Sequence, residues 1–113
     1  MARILRGEFY WADLDPVHQG HEQGGLRPVL VLSHEVFNER SGTIIAVVVT
    51  SVPQAAGFPL TLPVPEGLLP KPSWVKVSQV RTISIKRLRG RLGQGPPELL
   101  DAVLEGLSEL IGA

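Results

Sequence analysis

The residues able to do chemistry in this chain gather in one loop and at a few strand ends. Gln19-Gly20-His21-Glu22-Gln23-Gly24-Gly25 is a pliable polar loop leading into Arg27-Pro28, and functional groups tend to lie on loops of this kind. His21, with an unperturbed pKa of about 6.5, is a natural proton carrier. Glu22 beside it suits a base, or a group that orients the imidazole. Arg27 opens an apolar run. Its planar guanidinium presents paired donors to phosphate oxygens, but a pKa above about 12 makes it a poor base. Thr50 closes the run Ile44–Val49 and offers a hydroxyl. Taken singly, each has an ordinary reading: exposed loop residues, a rim arginine, a strand threonine. Trp11 and Trp74 read as core or interface residues rather than as base-stacking platforms. No one of these residues supports a function alone.

Other chemistries are poorly supplied. The chain has no cysteine, so it can form neither a disulfide framework nor a thiolate zinc site. GxxxxGK[ST], GxGxxG after a strand, HExxH and GxSxG are all absent, and Asp13, Asp15 and Asp101 are the only aspartates. A carboxylate-built metal centre therefore has little to draw on, and neither metal nor cofactor is expected. Formal net charge is zero, which argues against a strongly basic nucleic-acid coat. The charges are nevertheless segregated. Lys76, Arg81, Lys86, Arg87, Arg89 and Arg91 follow one another without an acid, and Glu98, Asp101, Glu105 and Glu109 come after. The basic stretch is either a solvated face or a local phosphate-binding strip. The N-terminal arginines precede no apolar run of signal-peptide length, and Ile44–Val49 is too short to span a bilayer. The expected location is the cytoplasm, with no membrane partner.

At 113 residues with 43% apolar and 19% charged, the chain is expected to form one globular domain over residues 1–113. Phe9–Leu14 reads as a first strand, and residues 15–26 as a Gly-rich loop. Pro28–Leu32 and Ile44–Val49 are continuous apolar runs of the kind found in buried strands, with Glu35–Arg40 a short helical turn between them. Phe58–Val64 alternates, and its prolines put it at a sheet edge. Trp74–Val80 and Leu88–Leu92 are the remaining strands. Leu99, Leu100, Val103, Leu104, Leu107 and Ile111 recur at helical spacing, with Pro96 or Pro97 at the start and Gly112 at the end. The fold class is α+β and mostly β: five to seven short antiparallel strands, curled into a small barrel, with a C-terminal helix.

The order of blocks along the chain is more specific than any block. Asp13-Leu14-Asp15-Pro16, His21-Glu22-Gln23-Gly24-Gly25 and Arg27-Pro28-Val29-Leu30-Val31-Leu32-Ser33 are followed by Phe37-Asn38 and Val47-Val48-Val49-Thr50-Ser51. Then come Ser78-Gln79-Val80-Arg81-Thr82-Ile83 and Gly90-Arg91-Leu92-Gly93. Over about residues 6–112 this resembles the MazF/PemK toxins of type II toxin–antitoxin systems. The resemblance implies the CcdB/MazF fold, an SH3-like barrel, in a homodimer opposed by a cognate antitoxin. It implies a sequence-specific endoribonuclease acting on single-stranded RNA without metal. Arg27 and Thr50 match the family's catalytic pair, with His21 and Glu22 in acid–base roles; Gln79, Arg81, Phe58, Lys76 and Ser51 stand at RNA-contacting positions. The Kid/PemK branch carries an Arg and an Asp where this chain has Lys76 and Ser78, which shifts weight to Arg27, Thr50 and His21.

Metal-free cleavage of RNA uses the substrate's own 2′-hydroxyl as nucleophile. Its proton must be removed, the dianionic phosphorane stabilised, and the leaving 5′-oxygen protonated. Arg27 and Thr50 suit the second task; His21 and Glu22 compete for the proton transfers. Two further readings stand beside this one: a degenerate member that only binds RNA or antitoxin, and a CcdB-like gyrase poison.

Overall fold

The computed structural model describes residues 3–14 and 25–113. Six strands form one antiparallel sheet: β1 (Glu8–Asp13), β2 (Leu26–Val31), β3 (Thr43–Thr50), β4 (Thr61–Pro63), β5 (Trp74–Ser84) and β6 (Leu88–Gln94). Helix α1 (Glu35–Ser41) links β2 to β3, and α2 (Pro97–Ile111) ends the chain. The order across the sheet is β4-β5-β3-β2-β1-β6. This is the expected curled antiparallel sheet with its C-terminal helix, but β4 and β6 remain edges, so strand pairing does not close the barrel. No helix among the described residues is long and apolar enough to cross a membrane.

Strand alternation sorts the apolar side chains into two cores. Tyr10, Ala12, Val29, Val31, Ile44, Ala46 and Val48 line the inside of the curl with Ile4, Leu14, Ile83 and Leu88. Phe9, Leu30, Val47, Val49, Val75 and Val77 point the other way, where Leu99 and Val103 of α2 and the segment bearing Val64 and Leu69 cover them. The central strands β2 and β3 are therefore buried on both faces, which is why their sequences are unbroken apolar runs rather than alternating ones. Pro97 sits in the first turn of α2, and Gly112, at φ 75°, donates its N–H to the Ser108 carbonyl to cap the end. Gly106 is needed where α2 crosses the sheet: a Cβ there would lie 3.0 Å from the Pro59 carbonyl oxygen.

Two elements differ from the sequence expectation. β4 is shorter than Phe58–Val64, because Leu60 and Thr61 donate their N–H groups to the Gly57 carbonyl and Gly57 turns the chain at φ 71°. β5 is longer than Trp74–Val80 and carries a wide bulge. Val47 pairs with Val80, yet the next residue, Val48, pairs with Lys76, so Val77, Ser78 and Gln79 have no partners on β3. An odd number of additional residues exchanges the two faces of a strand. Val75 and Val77 thus face α2, while Ile83 joins the inner core.

One buried charge is fully partnered. Glu8, 4% exposed, accepts hydrogen bonds from the Leu5 N–H at 2.7 Å, the Tyr10 hydroxyl at 3.1 Å and Arg91 Nε. Burial alone would raise its pKa; the bonds from Arg91, Leu5 and Tyr10 outweigh that and hold it below the ordinary carboxylate value. The Tyr10 hydroxyl is pushed up to about 12, by burial first and then by the Glu8 charge.

Candidate active site

The strand register assembles a row of residues at one end of the sheet. β2 pairs with β3 through Val29↔Val48, Leu30↔Val47 and Val31↔Ala46. Val29 and Val48 are the last pair at this end, and Arg27 and Thr50 each lie two residues beyond it. Arg27 is paired on its other side with Ala12 of β1, and Thr50 with Trp74 of β5. By strand alternation Arg27, half-buried, and Thr50, buried, lie on one face at the same end of the sheet. Lys76, also half-buried, is one step further along that face of β5, opposite Val48 and Thr61.

Thr50 is held by more than its strand. Its hydroxyl oxygen accepts the Val52 N–H at 3.1 Å, a local turn that bends the chain away as β3 ends. The hydroxyl proton stays available to donate. At 1% exposure Thr50 is core as well as rim, so truncating it reaches the interior although it ends a strand.

Two grooves adjoin this row. One, of about 240 Å³, lies over the ends of β1, β2 and β3; Arg27 lines it together with Trp11, Pro28, Ser51, Leu69 and Lys71. Trp11, Pro28, Val49 and Ser51 alternate with the row residues, so this groove opens on the other face of the same strand ends. The second, of about 430 Å³, follows the β5 bulge and is lined by Ser78, Gln79, Val80, Arg81 and Thr82.

Comparisons with known proteins show the family of the chain. Residues 5–111 match the model of the PemK-like, MazF-like toxin of type II toxin–antitoxin systems. The chain belongs to the PemK/MazF toxin family. It is 37% identical over 111 residues to the endoribonuclease MazF2 of Mycobacterium bovis, covering 96% of each chain. Its fold superposes on MazF of Deinococcus radiodurans with a TM-score of 0.87, at 32% identity and 100% coverage of both chains. A MazE–MazF structure from the same organism matches with a TM-score of 0.80 at 32% identity, covering 99% of this chain and 98% of that one.

Within this PemK/MazF fold the site residues named from sequence fall into groups. Arg27, Thr50 and Lys76 come together, and Ser51 joins Arg27 in the adjoining groove. Gln79 and Arg81 lie further along β5, in the bulge groove. Phe58, 48% exposed, stands apart beside α2, its ring 3.5 Å from where a Cβ on Gly106 would be. His21 and Glu22 lie outside the described residues. The basic stretch is not one strip. Arg91 pairs with Glu8 and Arg89 with Asp13 at 3.6 Å, and Arg87 donates to the Asp13 carbonyl, so the β6 cations are engaged with β1 while Lys76 and Arg81 lie on β5. Sequence reasoning did not single out Lys71 as a groove residue. Nothing in an exposed Pro70-Lys71-Pro72 turn marks it, because only the fold brings it beside Arg27.

Proposed function

We propose that this PemK/MazF toxin is a sequence-specific endoribonuclease that cuts single-stranded RNA, without metal, by attack of the substrate's 2′-hydroxyl. One domain over residues 1–113 carries the activity; it works as a homodimer in the cytoplasm and is neutralised by a cognate antitoxin. The observation that carries the reading is the β2–β3 pairing, which leaves Arg27 and Thr50 on one face at the same end of the sheet, in a chain whose relatives are named endoribonucleases. Arg27 offers paired donors to the non-bridging phosphate oxygens, and Thr50 adds a third donor to the same centre. Preorganised donors aimed at charge that develops in the transition state are the largest single source of rate. Lys76 extends the positive field on this face. His21 and Glu22 share the proton transfers: one takes the 2′-hydroxyl proton and the protonated imidazole returns one to the departing 5′-oxygen. Gln79, Arg81, Phe58 and Ser51 contact the flanking nucleotides of an unpaired strand.

The chemistry fixes the products. The upstream fragment ends in a 2′,3′-cyclic phosphate and the downstream one begins with a 5′-hydroxyl. A labelled single-stranded RNA, its twin with 2′-deoxyribose at the cut, and a reaction in EDTA test all of this. Cleavage of the first in buffer and in EDTA, with the twin intact, is expected. A downstream 5′-phosphate, or cleavage of the deoxy twin, defeats the mechanism; absence of any RNA product defeats the activity.

A further inference from the structure

We propose that the groove between Trp11 and Lys71 is a receptor for a single base of the substrate, adjacent to the scissile phosphate, and that it sets base preference at that position. The inference rests on the endoribonuclease reading above and goes beyond it by assigning a specificity pocket. Its volume of about 240 Å³ falls below the about 300–1,000 Å³ of sites that engulf a whole drug-sized ligand, which fits one flat ring system rather than a nucleotide. The walls are apolar and stiff: Trp11, Pro28, Leu69 and Pro70. An aromatic ring and prolines in one lining suit stacking, and every base offers a π-face.

The polar groups are placed for a charged chain. Among the described residues of the lining, Arg27 and Lys71 carry the charge and both are cations, which suits the backbone of a polyanion. Arg27 belongs both to the row with Thr50 and to this groove. A phosphate held on one face of the strand ends thus leaves a neighbouring base at the mouth of the groove on the other. The wall bearing Lys71 is preformed: the Ser73 hydroxyl donates to the Lys71 carbonyl at 2.8 Å, and the Ser73 carbonyl accepts the Val64 N–H at 2.8 Å. A pocket that is built before binding discriminates by shape without an ordering cost. Lys71, on that fixed wall, supplies donors to the edge or phosphate of the seated base.

Cleavage of a random single-stranded RNA pool by the wild-type protein gives the preferred cut site. The test then uses an oligonucleotide of that sequence with 2′-deoxyribose at the cut, so that it binds and stays intact. Protein labelled with 5-fluorotryptophan gives one signal for each of its two tryptophans, and Trp11→Phe assigns them. The Trp11 signal is expected to move on binding, and to stay put when one particular flanking base is replaced by an abasic site. Lys71→Ala, in an exposed turn, is expected to flatten base preference at that same position, and Trp11→Ala to weaken binding about tenfold or more while Trp11→Phe keeps most of it. If wild type cuts RNA but the Trp11 signal is unmoved and Lys71→Ala keeps the preference, the pocket assignment is wrong and the endoribonuclease reading survives. A Trp11 signal that answers a synthetic Glu/Leu-rich peptide and not the oligonucleotide overturns the assignment in favour of a peptide groove. If wild type cuts no RNA, both fall.

Discussion

Alanine removes different things at Arg27 and at Thr50. Arg27 is half-buried at the start of β2, and its role is electrostatic. Arg27→Ala is expected to keep the native circular dichroism spectrum and to lose about 10²–10³-fold in cleavage rate, as for other single preorganised donors. Thr50 is buried and satisfies the Val52 N–H. Thr50→Ala should therefore lose about 1 kcal/mol of stability as well as activity, whereas Thr50→Ser keeps the hydroxyl and most of both. Urea titration beside the cleavage assay separates the two effects; a Thr50→Ser protein as inactive as Thr50→Ala would remove the hydroxyl from the mechanism. Glu8 gives a pH dependence that owes nothing to catalysis. Its folded pKa lies below the unfolded value, so its stabilisation is complete above the unfolded carboxylate pKa of about 4.3 and is lost as pH falls through the lower folded value. Tyr10 runs the opposite way: raised to about 12, it stabilises fully below its unfolded pKa of about 10, and that contribution fades as pH climbs above it. Urea midpoints measured from pH 2 to 5 should fall more gently with acidification in Glu8→Gln than in wild type; parallel curves would show that the carboxylate is not what titrates.

Among the elements, β5 has the most to explain. Ile45 turns its carbonyl toward β2, where Leu32 donates to it at 2.8 Å, so its opposite number Thr82 is in a non-hydrogen-bonded pair. The N–H and C=O groups of Thr82, and by alternation of Val80 and Ser84, therefore point away from β3. β4 reaches only Trp74–Lys76, so among the described residues no strand pairs with that stretch of edge, and Phe58, Leu60 and Val80 are exposed. Exposed edges with apolar neighbours invite another strand. A second copy of the chain, pairing antiparallel about a two-fold axis, satisfies both the edge and the apolar rim. Thr82→Pro removes an outward N–H without touching the β3 ladder, and is expected to shift light-scattering mass from dimer to monomer while the fold persists. A folded Thr82→Pro protein that stays dimeric would place the interface elsewhere. The bulge that creates this geometry was not legible in the sequence. Val75, Val77 and Ile83 keep the same odd parity that an unbroken strand would show, so alternation hides the change of face.

For the molecule as a whole, the most local signals were the most readable. The two apolar runs of β2 and β3, the helical spacing from Leu99 to Ile111 and the Pro97–Gly112 punctuation announced buried strands and a terminal helix, because each depends on neighbours within a few residues. The Arg27–Thr50 pair is read from a resemblance, and what the sequence alone does not supply is the strand pairing that leaves both on one face at one end of the sheet. Lys71 stayed invisible because its importance comes from a fold that carries residue 71 back over the start of β2. The segmentation of the basic stretch was hidden for the same reason: Glu8 and Asp13, which engage Arg91 and Arg89, are distant in sequence.

The three unpaired residues of β5 also impose a rule on the length of the chain. Val75 and Val77 are matched to the helix-covered core and Ile83 to the inner one, so only the parity of the intervening count matters. Deleting Ser78 alone would turn Ile83 outward and Thr82 inward, spoiling both cores at once. Deleting Ser78 and Gln79 together would shorten the bulge to one residue and leave every later side chain on its proper side. Insertions and deletions at this place should thus be tolerated in pairs and rejected singly, a counting rule that a short library of length variants, scored by soluble yield, would expose directly.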